Sequence, residues 1–281
     1  MWPQHERQEL AINATAGVLG GYHAWFQPDE RVQAWPLMGG PAAVTSVLGL
    51  YLVGCLVVGP RMMRDRKALS LRPLLIAYNV AMVVLSVFFA GLTIKLAYVE
   101  SGYNLICQAN DSKSNPRSDV MIYYGWWYVM LKVGELLDTL FFVLRKKNDH
   151  VSFLHVLHHT LALATVWLDV NMGIMGHVAL FPVLNCSVHV IMYGYYALAA
   201  LPPALRPNLW WKPYVTIFQI AQFFVLTVHA LIPVFHDCSF PRAFAFFMAL
   251  EAALFFCLFS DFYVKAYVHP KAGAAKKLKD R

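Results

Sequence analysis

Phe153-Leu154-His155-Val156-Leu157-His158-His159 opens an apolar run that continues through Leu161, Leu163, Val166 and Leu168. Three imidazoles at i, i+3 and i+4 fall on one face of a helix. The run that carries them reads as a membrane span. Ionisable groups at that depth are costly and by default mark a functional site. A single buried histidine is more often a packing residue. Three on one face, with polar groups on neighbouring apolar runs, point to chemistry inside a helical membrane bundle.

Composition agrees with that fold. The 281 residues are 59% hydrophobic and 14% charged, where a soluble domain carries about 25% charged residues. Several long apolar runs, rather than one signal-type segment, predict an all-α polytopic membrane protein. Seven spans are expected, at about 42–59, 73–97, 120–144, 152–169, 173–199, 211–233 and 243–267. They divide the chain into a polar N-terminal segment (1–41), a seven-helix domain (42–267) and a basic tail (268–281). The mixed, polar stretch from Met1 to Glu30 does not read as a cleavable signal peptide.

The net charge of +7 is a topology signal, because the Lys and Arg residues sit in loops rather than on one basic face. No nucleic-acid partner is expected. Arg61, Arg64, Arg66, Lys67 and Arg72 lie between spans one and two. Arg145, Lys146 and Lys147 lie between three and four, Arg206 and Lys212 between five and six, and further lysines in the tail. All fall on one side, which the positive-inside rule makes cytosolic, leaving the N-terminus lumenal. Asn13 and Asn110 head glycosylation sequons on the lumenal side, and Cys107 and Cys238 form a candidate disulfide there. The final Lys277-Leu278-Lys279-Asp280-Arg281 has the form of a dilysine retrieval signal of the endoplasmic reticulum.

Polar groups on five spans align in depth. At about 1.5 Å per helical residue, counted from the cytosolic end, His158 and His159 lie roughly 9–11 Å in and His189 about 15 Å. By the same rise Glu135 and Asp138 fall at roughly 14 and 9 Å, Gln219 and Gln222 at about 12 and 17 Å, and Asn79 at about 9 Å. Scattered packing polars would not align this way, so the layer reads as one site in the cytosolic half. Lys132, Glu135, Asp138 and Thr139 share a helical face, and Lys132 with Glu135 also fits a structural ion pair. Asn185, His189, Met192, Tyr193 and Tyr196 line another face; for Tyr196 an interfacial tyrosine is the ordinary reading.

Four motifs carry a family resemblance. Lys132-Val133-Gly134-Glu135-Leu136-Leu137-Asp138-Thr139 matches KxxExxDT, and His155-Val156-Leu157-His158-His159 matches HxxHH. His189-Val190-Ile191-Met192-Tyr193-Gly194-Tyr195-Tyr196 matches HxxMYxYY, and Thr216-Ile217-Phe218-Gln219-Ile220-Ala221-Gln222 matches TxxQxxQ. In this order and spacing the set resembles the ELO family of very-long-chain fatty acid elongases, over residues 40 to 270. The resemblance implies seven helices, six of them an inverted barrel around a narrow acyl tunnel, often as a dimer. It implies condensation of a fatty acyl-CoA with malonyl-CoA to a 3-oxoacyl-CoA two carbons longer, with release of CO2 and CoA, beside the other enzymes of the elongation cycle. Three positions depart from the usual pattern: Leu157 where many relatives carry Tyr or Phe, Asp261 where Asn is usual, and His150 where many long-chain members have Gln.

Residue chemistry suits that reaction. Decarboxylative condensation needs an acyl donor, a stabilised enolate and donors for an oxyanion. A neutral imidazole serves as nucleophile or base at neutral pH. The resemblance makes His158 the acyl acceptor, as an acyl-imidazole, with His155, His159 and His189 completing the catalytic set. His189 and His159 would position malonyl-CoA or stabilise the enolate, and Asn185 would orient His189. Glu135 and Asp138 would fix imidazole tautomers or pair with Lys132. Arg145, Lys146, Lys147, Lys212 and Lys265 suit CoA phosphates, although topology alone explains them equally well. No metal and no cofactor beyond the CoA thioesters is expected.

Three rivals remain at this stage. A di-iron desaturase or hydroxylase shares HxxHH but needs about eight converging histidines, and most of the other histidines here lie far from the layer. Cys186, beside Asn185 and three residues before His189, could replace His158 as nucleophile. A seven-span receptor or transporter would be non-catalytic, but would not be expected to gather this layer.

Overall fold

The structure is a computed structural model that describes residues 28–269. Asn13 and the Lys277–Arg281 signal lie outside the described residues. Short 3-10 turns aside, the elements are α1 (Pro41–Met63), α2 (Arg72–Glu100), α3 (Ser118–Glu135), α4 (Leu137–Leu144), α5 (Phe153–Asn171), α6 (Gly176–Ala200), α7 (Lys212–Phe235) and α8 (Arg242–Val268). Among the described residues there is no strand.

Six of these helices, all but α3 and α4, are long and apolar enough to cross a membrane. The segment expected as span three, 120–144, is instead two helices with a break at Leu136. Asp119, Lys132 and Glu135 lie within α3. Those charges make this segment too polar to qualify by composition, although it is buried against its neighbours. Two of them, the buried Lys132 and Glu135, build the site.

Local sequence explains the helix ends. Pro41, Pro73 and Pro213 stand in the first turns of α1, α2 and α7, where the missing N–H costs nothing. Ser152 caps α5, its hydroxyl accepting from the His155 N–H at 3.2 Å. At the far end Gly173 adopts φ +62°, so that Ile174 N bonds Asp169 O at 2.8 Å and Gly173 N bonds Val170 O at 3.1 Å. That pair of bonds is a Schellman stop. α1, α2 and α8 contain wider π-helical turns at Gly54–Val58, Ile94–Glu100 and Val264–Val268.

Packing runs α2 to α6, α6 to α7, α7 to α8, α8 to α5, α5 to α3 and α3 back to α2, with α1 against α5 and α4. Gly59 of α1 comes so close to Val143 of α4 that a Cβ would meet the valine methyl at 2.8 Å. Small residues at such crossings let helix backbones approach. At the basic end the α1–α2 and α4–α5 connections meet through Leu69 N to Leu144 O (3.0 Å) and Lys146 Nζ to Arg64 O (3.0 Å). At the other end Cys107 and Cys238 are joined as a disulfide, tying the α2–α3 and α7–α8 loops together. Asn110 is half-buried there, its Oδ1 accepting from Met175 N at 3.1 Å.

Candidate active site

The Ser152 cap starts α5 so that its first turns present the three imidazoles to α4, α7 and α8. His155 Nε2 lies 2.8 Å from Thr139 Oγ1, which is itself 2.9 Å from the Tyr51 hydroxyl of α1. The His155 and His159 rings are 4.4 Å apart, and those of His159 and His158 are 5.6 Å apart. His158 faces the aromatic edges of Phe255 (5.1 Å), Phe259 (5.9 Å) and Phe223 (6.0 Å).

A second group gathers on α3 and α6. Lys132 Nζ donates to Glu135 Oε1 at 2.8 Å and to Asn185 Oδ1 at 2.6 Å, and the Tyr128 hydroxyl donates to the same Oδ1 at 2.9 Å. Lys132 and Glu135 are 2% and 1% exposed, and a buried ion pair persists only where further hydrogen bonds satisfy it. With Oδ1 of Asn185 engaged twice, its Nδ2 turns to His189 Nε2 at 3.4 Å. That amide donor leaves the ring proton on Nδ1, the nitrogen 3.2 Å from Glu135 Oε1. The Nδ1–carboxylate contact is close but off the hydrogen-bond axis, since Nδ1 has no aligned partner. Asn185 therefore links the cation of α3 to the imidazole of α6.

The other expected residues divide. Asp138 accepts from the Tyr193 hydroxyl at 2.7 Å, not from Lys132 or an imidazole. Gln219 turns to the Met192 sulfur at 3.5 Å, and Gln222 is buried. Asn79 is buried and donates its amide to the Leu75 carbonyl of its own helix at 2.7 Å. Tyr196 is 38% exposed. Cys186 is wholly buried and is not among the residues lining the cavity described below. Of the basic residues, Arg145 and Lys212 are half-buried and Lys147 is exposed. Lys265 pairs with Asp261 at 2.7 Å, which gives that departure from the usual pattern a partner. His150 stacks on Phe142 at 5.0 Å, and Leu157 is half-buried.

Two contributors went unread in the sequence. Tyr128 stands at i−4 from Lys132 and i−7 from Glu135, a helical spacing that could have revealed it. Tyr51 sits in an apolar helix with no polar periodicity around it and carries no such signal.

An apolar cavity opens beside these groups. His158, Asn185, Phe223 and Phe255 bound it near the histidine layer, and Thr165, Glu251, His177 and His229 bound it farther along. Leu226, Ala230, Ala245, Met248 and Ala252 supply apolar wall. A second cavity lies between α2, α3, α5 and α6, lined by Phe89, Leu96, Tyr128, Val166 and Asp169 among others. Val178 and Phe181 of α6 belong to the walls of both. The His158 imidazole thus meets an apolar space, an arrangement suited to acyl chemistry.

The fold and the site define a multi-pass, all-helical membrane protein with a histidine layer at the head of an apolar cavity. Residues 36–275 match the model of the ELO family, described as GNS1/SUR4. The chain is 39% identical to human very long chain fatty acid elongase 4 over 90% of its length and 80% of the relative's. It is 39% identical to elongase 7 of Drosophila melanogaster, over 85% and 73% of the two chains, and 38% identical to elongase 7 of Rattus norvegicus, over 90% and 91%. The chain belongs to the ELO family.

Proposed function

We propose that this protein is a fatty acid elongase, a 3-oxoacyl-CoA synthase that condenses a long-chain acyl-CoA with malonyl-CoA. The observation that carries the reading is the position of His158, at the junction between the polar layer and the apolar cavity, in a chain of the ELO family. An acyl chain occupies the cavity with its thioester carbonyl at His158. The imidazole nitrogen attacks that carbonyl, the C–S bond breaks, and CoA leaves as the thiol after taking a proton. Malonyl-CoA then loses CO2, and the resulting enolate attacks the acyl-imidazole carbon. The new C–C bond forms as the C–N bond breaks, and the departing imidazole takes up from water the one proton the overall condensation consumes, which frees His158. His189, held by Asn185 and Glu135, and His159 stabilise the enolate and the oxyanion. His155 holds the imidazole cluster in place through Thr139 and Tyr51. CoA thioesters are the only small molecules this scheme requires.

In the membrane, α3 and α4 together make the seventh span, and the closed sequence of helix contacts is a six-helix barrel with α1 outside. The domain runs over residues 42–267, with its basic end in the cytosol, its disulfide end in the lumen of the endoplasmic reticulum and its N-terminus lumenal. Arg145, Lys146, Lys147, Lys212 and Lys265 then flank the mouth where CoA phosphates arrive. The protein works as a homodimer beside the reductases and dehydratase that complete each two-carbon cycle.

The test is incorporation of labelled malonyl-CoA into lipid by the purified protein, over acyl-CoAs from about C16 to C26, a range no wider than a membrane-deep tunnel accommodates. Label is expected in a product two carbons longer, and it is expected to vanish in His158→Ala. A Cys186→Ala variant is expected to stay active. Absence of label with every acyl-CoA, from a folded sample, would reopen the iron and non-catalytic readings.

A further inference from the structure

A second polar group lies in the apolar cavity, away from the histidine layer. Thr165 of α5 donates its hydroxyl to Glu251 Oε2 of α8 at 2.6 Å. Both residues line the cavity, as does His177 from the start of α6. His177 is 5% exposed and stacks on His229, with ring centroids 3.8 Å apart. Its Nε2 lies 2.9 Å from the His229 carbonyl oxygen. A carbonyl only accepts, so the ring proton sits on Nε2 and Nδ1 is left as a bare acceptor. That Nδ1 is buried and has no hydrogen-bond partner. An unmet acceptor in an apolar space is costly. What it lacks is a donor.

The position of this group suggests the source of one. Thr165 follows His158 by seven residues on α5, which is about 10 Å along the helix. An extended carbon chain with bonds of about 1.5 Å covers that distance in roughly eight bonds. A chain with its carbonyl at His158 therefore brings its middle carbons to Thr165 and Glu251, in the cavity whose wall His177 shares. A methylene there satisfies nothing. A keto oxygen only accepts and offers His177 Nδ1 nothing. A hydroxyl can donate to His177 Nδ1 or to the Glu251 carboxyl group, and it is the chain substituent that fits.

We propose that Thr165, Glu251 and His177 form a hydroxyl-recognising station, which makes acyl-CoAs with a mid-chain hydroxyl better substrates than saturated chains of equal length. The proposal rests on the elongase reading and names a substrate class for it. A purely apolar wall would do the opposite, because it offers a hydroxyl no partner and desolvates it. A site built to bond a hydroxyl discriminates against the chain that lacks one.

The experiment measures kcat/KM for malonyl-dependent elongation of three equal-length sets: saturated chains, chains hydroxylated at successive mid-chain carbons, and the matching oxo chains. In the unmodified protein the best hydroxy isomer is expected to exceed the saturated chain by at least about fivefold, the scale of one buried hydrogen bond. The oxo chain is expected to show no gain. His177→Phe keeps an aromatic ring for His229 and removes the acceptor, and Glu251→Met keeps the length and removes the carboxyl group. Each is read as the hydroxy-to-saturated ratio within the variant, expected to fall to one or below. A ratio at or below one for every isomer in the unmodified protein overturns the station, whatever the variants do. A preference that survives in both variants overturns its assignment to these residues. Saturated chains that elongate while hydroxy chains do not sink the station alone; no elongation of any chain sinks the elongase reading and the station with it.

Discussion

At the scale of single residues, the site is a set of polar groups each made tolerable by another. Lys132 is the clearest case, because its ammonium serves Glu135 and Asn185 together, at 2.8 and 2.6 Å. Lys132→Met leaves the Glu135 carboxylate buried without its cation and Asn185 with only the Tyr128 hydroxyl. Removing one partner of a buried pair costs about 3–5 kcal/mol, so this variant should unfold at a markedly lower temperature in detergent. Lys132→Met with Glu135→Gln removes both charges and should recover a large part of that loss. If the double variant is no more stable than Lys132→Met, the pair is not coupled as described. Activity should fall in both, since Lys132 orients the Asn185 amide that in turn faces His189. The sequence made the ion pair legible, because i, i+3 spacing places the two charges together whatever the tertiary fold. It did not reveal Tyr51, whose hydroxyl joins the site through Thr139 at 2.9 Å. That contact depends on how α1 lies against α4, and helix periodicity carries no information about it.

At the scale of elements, the segment before α1 fastens the far ends of α3 and α5. Asp29 N bonds Asn171 O at 2.7 Å, and Gly39 N bonds Asn171 Oδ1 at 2.8 Å. Trp167 Nε1 reaches Leu37 O at 2.7 Å. Arg31 completes the strap, bonding Asp29 Oδ2 at 2.7 Å and Asp119 at the start of α3 at 3.0 Å. The hydrogen bond from Arg31 holds the Asp29 carboxyl below its ordinary range, against the opposing effect of burial. A carboxylate with a depressed pKa adds stability above its unfolded value, about 3.9, and loses it as pH falls through the lower folded value. Asp29→Asn should therefore be less stable at neutral pH by about 1 kcal/mol, a figure kept small by partial exposure. It should also lose less stability than the unmodified protein when the pH drops below about 4. Parallel acid slopes in the two melting-temperature profiles would show that Asp29 is not the group responsible. The hydrophobic runs made six of the helices legible but not this strap, whose polar sequence resembles any loop. The break at Leu136 was equally hidden, since α3 and α4 read as one continuous run.

At the scale of the whole molecule, the two cavities described among the contacting helices share part of their walls. Val178 and Phe181 of α6 face both, with His158 and Glu251 on one side and Tyr128 and Asp169 on the other. The motifs located the chemical layer, because imidazoles and carboxylates in lipid are rare enough to stand out. The cavities were not legible, because their walls are Phe, Leu, Val and Ala, the same residues that fill any helical core. Only the packing of α6 between α2 and α7 decides where space remains. If the acyl chain runs from His158 along the first cavity, Phe181 is the side chain that keeps it from the second. Phe181→Ala deletes most of that partition and joins the two spaces. Truncating a packed Phe costs about 3–5 kcal/mol where the site cannot collapse, but a side chain with open space on both faces loses fewer contacts, and the cost should fall below that range. The product distribution from a mixed panel of saturated acyl-CoAs should shift to longer chains in Phe181→Ala and to shorter ones in Phe181→Trp, read by mass spectrometry at matched turnover. Opposite shifts in the two variants require the wall to act as a partition, because a merely destabilised enzyme would lose rate without changing its preferred length. An unchanged distribution in both would mean that the chain ends before it reaches α6, and that the second cavity lies outside the substrate path.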